Sequence, residues 1–278
     1  MVGASATKVA IVTGGSRGLG RGAALGLGEL GAIVYITGRS LPGGSHGPGT
    51  VTETADEVSK LGGRGIAVRC DHRDDAEVAA LFQRVQEEQG RLDILVNNVY
   101  LAPELSAELP RSHSGRTPIK TPFWKLPISY WDELFTVSAR SHYVASVFAA
   151  PLMVAQASGL IVNVSSHGGT RYSMNVPYGA EKATVHKLAA DMAYELRPYS
   201  VAVVALAAPP TTTELSVGYG ADAAPDAPRT YGALFTGRAI AALVRDPAIM
   251  ERSGRVLDVL QLAQEHGFSE PARPHPAS

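Results

Sequence analysis

Val9-Ala10-Ile11-Val12-Thr13-Gly14-Gly15-Ser16-Arg17-Gly18-Leu19-Gly20 is the stretch whose reading decides the fold. The four apolar residues, β-branched at Val9, Ile11 and Val12, read as a short buried strand. A glycine turn follows, and Ala23 to Leu30 reads as helix. Strand, glycine turn and helix together make a phosphate cradle. Gly14 permits the tight turn, Gly18 lets the backbone approach a pyrophosphate and Gly20 allows close helix packing, while the helix N-terminus supplies donors and positive potential. Gly14, Ser16, Arg17, Gly18, Leu19 and Gly20 are therefore the candidate contacts to a dinucleotide.

Working outward, Ile33 to Thr37 is the second strand and ends at Gly38-Arg39. A dinucleotide-binding chain that takes NAD usually places an acid about twenty residues past the glycine loop, for the ribose 2′-hydroxyl. This chain has Arg39 there, with Arg17 as a second cation. The pair would bind a 2′-phosphate, so NADP(H) is the expected cofactor; two solvated arginines are the plainer alternative. A Gly/Pro-rich loop, 41–50, precedes a helix from Val51 to Leu61 and a strand from Gly65 to Arg69. Amphipathic Asp75 to Gln89 and a strand from Leu92 to Val96 come next. Trp131 to Pro151 reads as one long helix, Leu160 to Val164 and Val201 to Leu206 as strands, Thr236 to Arg245 as helix and Arg255 to Leu260 as a last strand. This alternation predicts an α/β fold: a single-domain, Rossmann-type, doubly wound parallel sheet flanked by helices, spanning 1–268, with a frayed proline-rich tail at 269–278.

Composition narrows the function. The chain has 278 residues, 45% hydrophobic and 18% charged, with a formal net charge of −1. That balance argues against nucleic acid and against a polybasic membrane patch. Cys70 is the single cysteine, so no internal disulfide can form, and the eight histidines show no zinc-site spacing; no metal is expected. No leader pattern and no spanning apolar run stand out, and a cytoplasmic protein is expected.

Candidate chemistry lies between Leu160 and Pro198. Ser165 and Ser166 end a strand, a loop holds Gly168 and Gly169, and a helix from Val176 puts Tyr178 and Lys182 one turn apart on one face. A free tyrosine, with a pKa of about 10, is a poor base at neutrality, but an ammonium one turn away favours the phenolate. A serine hydroxyl could hold a substrate oxygen beside the phenol while a hydride moves. With ten tyrosines in 278 residues, chance Tyr-x-x-x-Lys pairs number roughly 0.2 per chain, so the pair has meaning only beside the glycine cradle.

With these motifs in order, the chain resembles the classical short-chain dehydrogenases/reductases. Thr13 to Gly20 matches that family's Thr-Gly-x-x-x-Gly-x-Gly loop, Asp71 its adenine contact, Asn97 its Asn-Asn-Ala-Gly position, and Ser166, Tyr178 and Lys182 its catalytic serine and Tyr-x-x-x-Lys pair. The resemblance also implies that Thr213 contacts the nicotinamide end, that 215–235 is a substrate lid, and that the protein is a homodimer or homotetramer. The loop 101–130, with Phe123 and Trp124, either covers the substrate end of the cleft or is a plain surface loop pinned by its aromatics.

Three positions depart from the family pattern: Val99-Tyr100 in place of Ala-Gly, Ser138 in place of a helix asparagine, and Ala208-Pro209 in place of Pro-Gly. The motif favours Ser166 as the catalytic serine, although the commoner spacing would select Ser165. The expected activity is NADP(H)-dependent interconversion of a carbonyl compound and its alcohol, with Tyr178 as acid/base, Lys182 as its partner and Ser166 orienting the carbonyl. The departures keep a second reading open, a cofactor-binding sensor or scaffold with little turnover. A sugar-nucleotide epimerase would share the Tyr/Lys chemistry but generally carries a differently spaced glycine loop and a larger C-terminal domain.

Overall fold

All seven apolar runs become strands of one parallel sheet. The computed structural model describes residues 7–43, 48–102, 106, 109, 121–215 and 230–269. In chain order the strands are β1 (Val9–Val12), β2 (Ile33–Gly38), β3 (Arg64–Arg69), β4 (Ile94–Asn97), β5 (Gly159–Ser165), β6 (Val201–Ala207), the short β7 (Thr211–Thr212) and β8 (Tyr231–Gly232), and β9 (Val256–Asp258). The main sheet has the order β3-β2-β1-β4-β5-β6-β9, and β7 pairs with β8 apart from it. β1 lies between β2 (Val9↔Ile33 to Val12↔Ile36) and β4 (Ala10↔Ile94 to Val12↔Val96). Chain order therefore reverses between β1 and β4, and the crevice outside their carboxyl ends is where such sheets receive ligands.

The helices are α1 (Gly18–Gly28), α2 (Val51–Lys60), α3 (Asp75–Gln89), α4 (Ile128–Val137), α5 (Ala139–Ala155), α6 (Val176–Leu196), α7 (Ala233–Arg245), α8 (Ile249–Arg252) and α9 (Val259–His266). They cover both faces, which is why the strands are continuous apolar runs. Ala10, Val12, Val34, Ile36 and Val96 point into a core with residues of α1, α2, α7 and α9. Their neighbours Val9, Ile11, Tyr35 and Leu95 point the other way, against α3, α5 and α6.

Several boundaries differ from the sequence reading for physical reasons. α1 starts at Gly18, not Ala23. Its glycines are poor helix formers, but α1 packs backbone to backbone on α7: a methyl at Gly22 would strike the Ala233 carbonyl, and one at Gly237 would strike the Gly22 carbonyl. The single helix expected over 131–151 is two, broken at Ser138, whose φ of −100° and ψ of −88° leave the helical region. There the Ser138 hydroxyl accepts the Leu101 amide at 3.1 Å, tying the break to the loop after β4. The last strand ends at Asp258, because that carboxylate accepts the Gln261 amide at 2.9 Å and caps α9. Of the expected lid, 216–229 lies outside the described residues, while Tyr231 to Phe235 already belongs to β8 and α7. Most of the loop 101–130 and the tail from 270 also lie outside them.

Candidate active site

The glycine cradle forms where β1 meets α1. Gly14 takes φ +66° and Gly18 φ +54°, conformations that suit glycine. A methyl on Gly20 would strike the Gly14 carbonyl, so the turn closes only without a side chain there. Thr13 steadies the turn from below, its hydroxyl accepting the Asn98 amide at 2.9 Å, while Asn98 Nδ2 donates to the Thr13 and Gly14 carbonyls at 3.1 and 3.0 Å. Ser16 and Leu19 sit in the same loop, Ser16 buried and Leu19 partly so.

Arg17 donates from Nη2 to Ser40 Oγ at 2.6 Å, whereas its Nε and Nη1 are buried without hydrogen-bond partners. Burial pushes this guanidinium below its ordinary range, the Glu214 carboxylate opposes that and Arg39 adds to it. Arg17, Arg39 and Ser40 thus gather at the end of β2 with donors to spare, and these residues fit a 2′-phosphorylated dinucleotide. Asp71 lies at the end of β3, its carboxylate gripped by Arg73 at 2.6 Å. That hydrogen bond holds its pKa down at about 2, with Arg39 contributing least among the causes.

Asn97 faces away from the cradle chemistry. It is fully buried, and its Nδ2 donates to the His142 carbonyl, Ser146 Oγ and Asn163 Oδ1 at 3.3, 3.0 and 2.9 Å. Those contacts lock the ends of β4 and β5 to α5, and the direct hold on the glycine turn belongs to Asn98.

The expected lid touches the cradle at its root. Gly18 N–H donates to Glu214 Oε2 at 2.7 Å, and Arg21 Nη1 lies 3.8 Å from Glu214 Oε1. A methyl at Gly18 would come within 3.3 Å of the Thr213 methyl. Thr213 therefore rests against the glycine turn.

Beyond the switch point the serine, tyrosine and lysine converge. Asn175 caps α6 by accepting the Tyr178 amide at 3.0 Å, and Pro177 starts the helix. Tyr178 OH lies 2.6 Å from Ser166 Oγ, which also accepts the Gly168 amide at 3.1 Å. Ser165 points the other way along the strand and bonds His186 Nε2 at 2.9 Å. Geometry thus puts Ser166, and not Ser165, beside the phenol.

Lys182 is buried, 6% exposed. Its Nζ sits 4.4 Å from the centre of the Tyr100 ring and 5.7 Å from that of Tyr178, and the two rings meet edge to face at 6.1 Å. Tyr100, noticed in the sequence only as a bulky departure, is thus a wall of the site. His142 on α5 is enclosed; burial first, then the Lys182 charge, push its pKa down to about 3. Glu181, unremarked in the sequence, is fully buried with Oε2 3.2 Å from Lys182 Nζ. Its spacing of four from buried Pro177 and Val185 on α6 was the available signal.

A parallel sheet with a glycine cradle at its switch point and a Ser-Tyr-Lys set beside it defines a Rossmann-fold oxidoreductase site. The chain belongs to the short-chain dehydrogenase family, whose model matches residues 8–223. It is similar to the mouse protein "Dehydrogenase/reductase SDR family member 1", 41% identical over 95% of this chain and 83% of the relative. The human protein of that name is 40% identical over the same shares. Among solved structures, a short-chain dehydrogenase from Mycobacterium thermoresistibile superposes with a TM-score of 0.76 at 23% identity, covering 94% of this chain and 88% of that one. YwfH, described as an NADPH-dependent reductase of bacilysin biosynthesis, gives 0.72 at 19% identity, covering 91% and 96%; both likenesses concern the fold. Among the described residues no helix is long and apolar enough to cross a membrane.

Proposed function

We propose that this oxidoreductase is NADP(H)-dependent and interconverts a carbonyl compound and its alcohol. The observation that carries the reading is the 2.6 Å contact between Ser166 Oγ and Tyr178 OH beside buried Lys182. In the direction of reduction, Ser166 donates a hydrogen bond to the carbonyl oxygen and fixes its place. Tyr178 gives its hydroxyl proton to that oxygen, and the Lys182 ammonium stabilises the phenolate left behind. The nicotinamide, when bound, supplies the hydride. Gly14 to Gly20 would hold the pyrophosphate, Arg17 and Arg39 the 2′-phosphate, Asp71 the adenine, and Thr213 and Lys182 the nicotinamide end, with Asn97 bracing the floor. The two unpartnered Arg17 nitrogens support NADP(H) over NAD(H).

A turnover-free sensor is not favoured, because Ser166 and Tyr178 meet at 2.6 Å with Lys182 Nζ 5.7 Å from the Tyr178 ring, and Tyr100 packs into the set. We further infer a cytoplasmic homodimer or homotetramer: Tyr143 and Val147 on α5 and Val176 and Tyr194 on α6 are exposed apolar side chains of the kind a partner copy would cover. The decisive test is a ketone and quinone panel with NADPH and with NADH, run on the parent and on Tyr178→Phe. Turnover should prefer NADPH and fall about 10²- to 10⁴-fold in the variant; a near-normal rate without the phenol rejects the assignment.

A further inference from the structure

Glu181 is a carboxylate with no ordinary reason to be where it is. It is fully buried on α6, and neither oxygen makes a hydrogen bond. Burying an ionised carboxylate is costly unless a charge compensates it, and here the one charge at hand is the Lys182 ammonium, 3.2 Å away. No other acid among the described residues pairs with that lysine. The ammonium is thus in contact with two groups, the Tyr100 ring and the Glu181 carboxylate.

The surroundings leave this pair electrically isolated. His142, from α5, and His186, from α6, both feel the lysine and are both pushed down, chiefly by burial, so that each is neutral near pH 7. His167, in the turn before α6, is bonded to Asp258 at 2.7 Å. From α4, Glu133 accepts from Ser106 at 2.6 Å and Asp132 is exposed. β6 brings no charge, and Arg197 lies at the far end of the helix.

We propose that Glu181 is a positioning residue that anchors Lys182 and offsets part of its charge, weakening the field of the ammonium at the Tyr178 hydroxyl and setting the site for carbonyl reduction over alcohol oxidation. This rests on the NADP(H) reductase reading above and deepens it. The physics is direct: the lysine favours the phenolate through its positive charge, and a negative charge in contact with it reduces the net field at the phenol. The fixed ammonium keeps its other duty, stabilising the phenolate formed once the proton has gone.

The test is a tyrosinate absorbance titration of the parent, Glu181→Gln and Glu181→Asp, each subtracted from the same protein carrying Tyr178→Phe. It reads one phenol and needs no substrate. Removing the charge in Glu181→Gln should move the Tyr178 transition toward acid by about one pH unit, while Glu181→Asp should titrate close to the parent. Glu181→Ser is the second charge-removing variant, should the glutamine protein fail to fold. Phenanthrenequinone reduction by NADPH is run over the same pH range, and its rate profile should follow the same displacement, which a purely structural role would not produce. An unmoved transition in the charge-removing variants, or one moved toward alkali, overturns the proposal. A displaced transition with no NADPH oxidation against the carbonyl panel would uphold Glu181's role and sink the reductase reading; Tyr178-dependent turnover without displacement would do the reverse.

Discussion

Replacing His142 should take one proton out of the acid-unfolding equilibrium. Its Nε2 lies 3.2 Å from the Val99 carbonyl, which can only accept, so Nε2 carries the hydrogen; Nδ1 is buried without a partner. With its pKa pushed down to about 3 in the fold and near 6.5 in the unfolded chain, the ring is protonated more readily unfolded. Its share of stability is therefore complete above about pH 6.5 and is lost as pH falls toward about 3. The full window corresponds to on the order of 5 kcal/mol, and its slope to about 1.4 kcal/mol per pH unit. His72, bonded to Thr37 Oγ1 at 2.7 Å and pushed by burial down to about 4, adds a second proton over the upper part of the window. Since a domain has only about 5–15 kcal/mol in hand, these two rings take a large share of it by about pH 4. Urea unfolding at a series of pH values between about 7 and 5 gives the slope directly. His142→Gln, which keeps an N–H for Val99, should reduce the slope by about one proton relative to the parent. An identical slope would refute a neutral imidazole sealed beside Lys182.

Gly237→Ala, on α7, drives a methyl into the Gly22 carbonyl of α1, and neither backbone can step aside. A cost of about 1–3 kcal/mol follows, or a fall of several degrees in the thermal midpoint; a raised midpoint, as alanine gives in an open helix, would contradict this packing. Glu214→Gln removes a negative charge from the Gly18 amide, 2.7 Å away, that a pyrophosphate would use. NADPH binding, followed by its fluorescence, should tighten about five-fold, the effect of roughly 1 kcal/mol at a helix N-terminus; weaker binding would mean that Glu214 supports the closed cleft instead.

What was legible in the sequence is what local chemistry alone determines. The amphipathic stretch Asp75 to Gln89 becomes α3 with those bounds, because Asp74 caps it by accepting the Ala76 and Glu77 amides and Gly90 leaves it at φ +66°. β1, β2 and β6 begin where their β-branched runs begin, since strands buried on both faces carry no polar interruption. What was not legible depends on residues distant in the chain. The body of α1, from Gly22 to Gly26, is held by α7, more than two hundred residues later, against its own glycine content. The break at Ser138 exists because an amide at Leu101 needs an acceptor.

The site divides along the same line. The spacing of Tyr178 and Lys182 follows from one helix turn and could be read directly, whereas the choice between Ser165 and Ser166 required His186 and Tyr178 to compete for them in space. One departure from the family pattern, Tyr100, gains a meaning once the lysine is located. Tyr100 replaces a glycine and supplies the ring over Nζ, and Glu181, which nothing in the sequence singled out, supplies the countercharge on Nζ, so the two residues share one ammonium. Pairwise changes should therefore be non-additive. Loss of the Tyr100 ring in Tyr100→Ala frees Nζ to swing fully onto Glu181, which would deepen the offset, whereas Glu181→Gln removes it. The double variant should titrate nearer to Glu181→Gln than to Tyr100→Ala, because with the carboxylate gone the ring has no opposing charge to restrain.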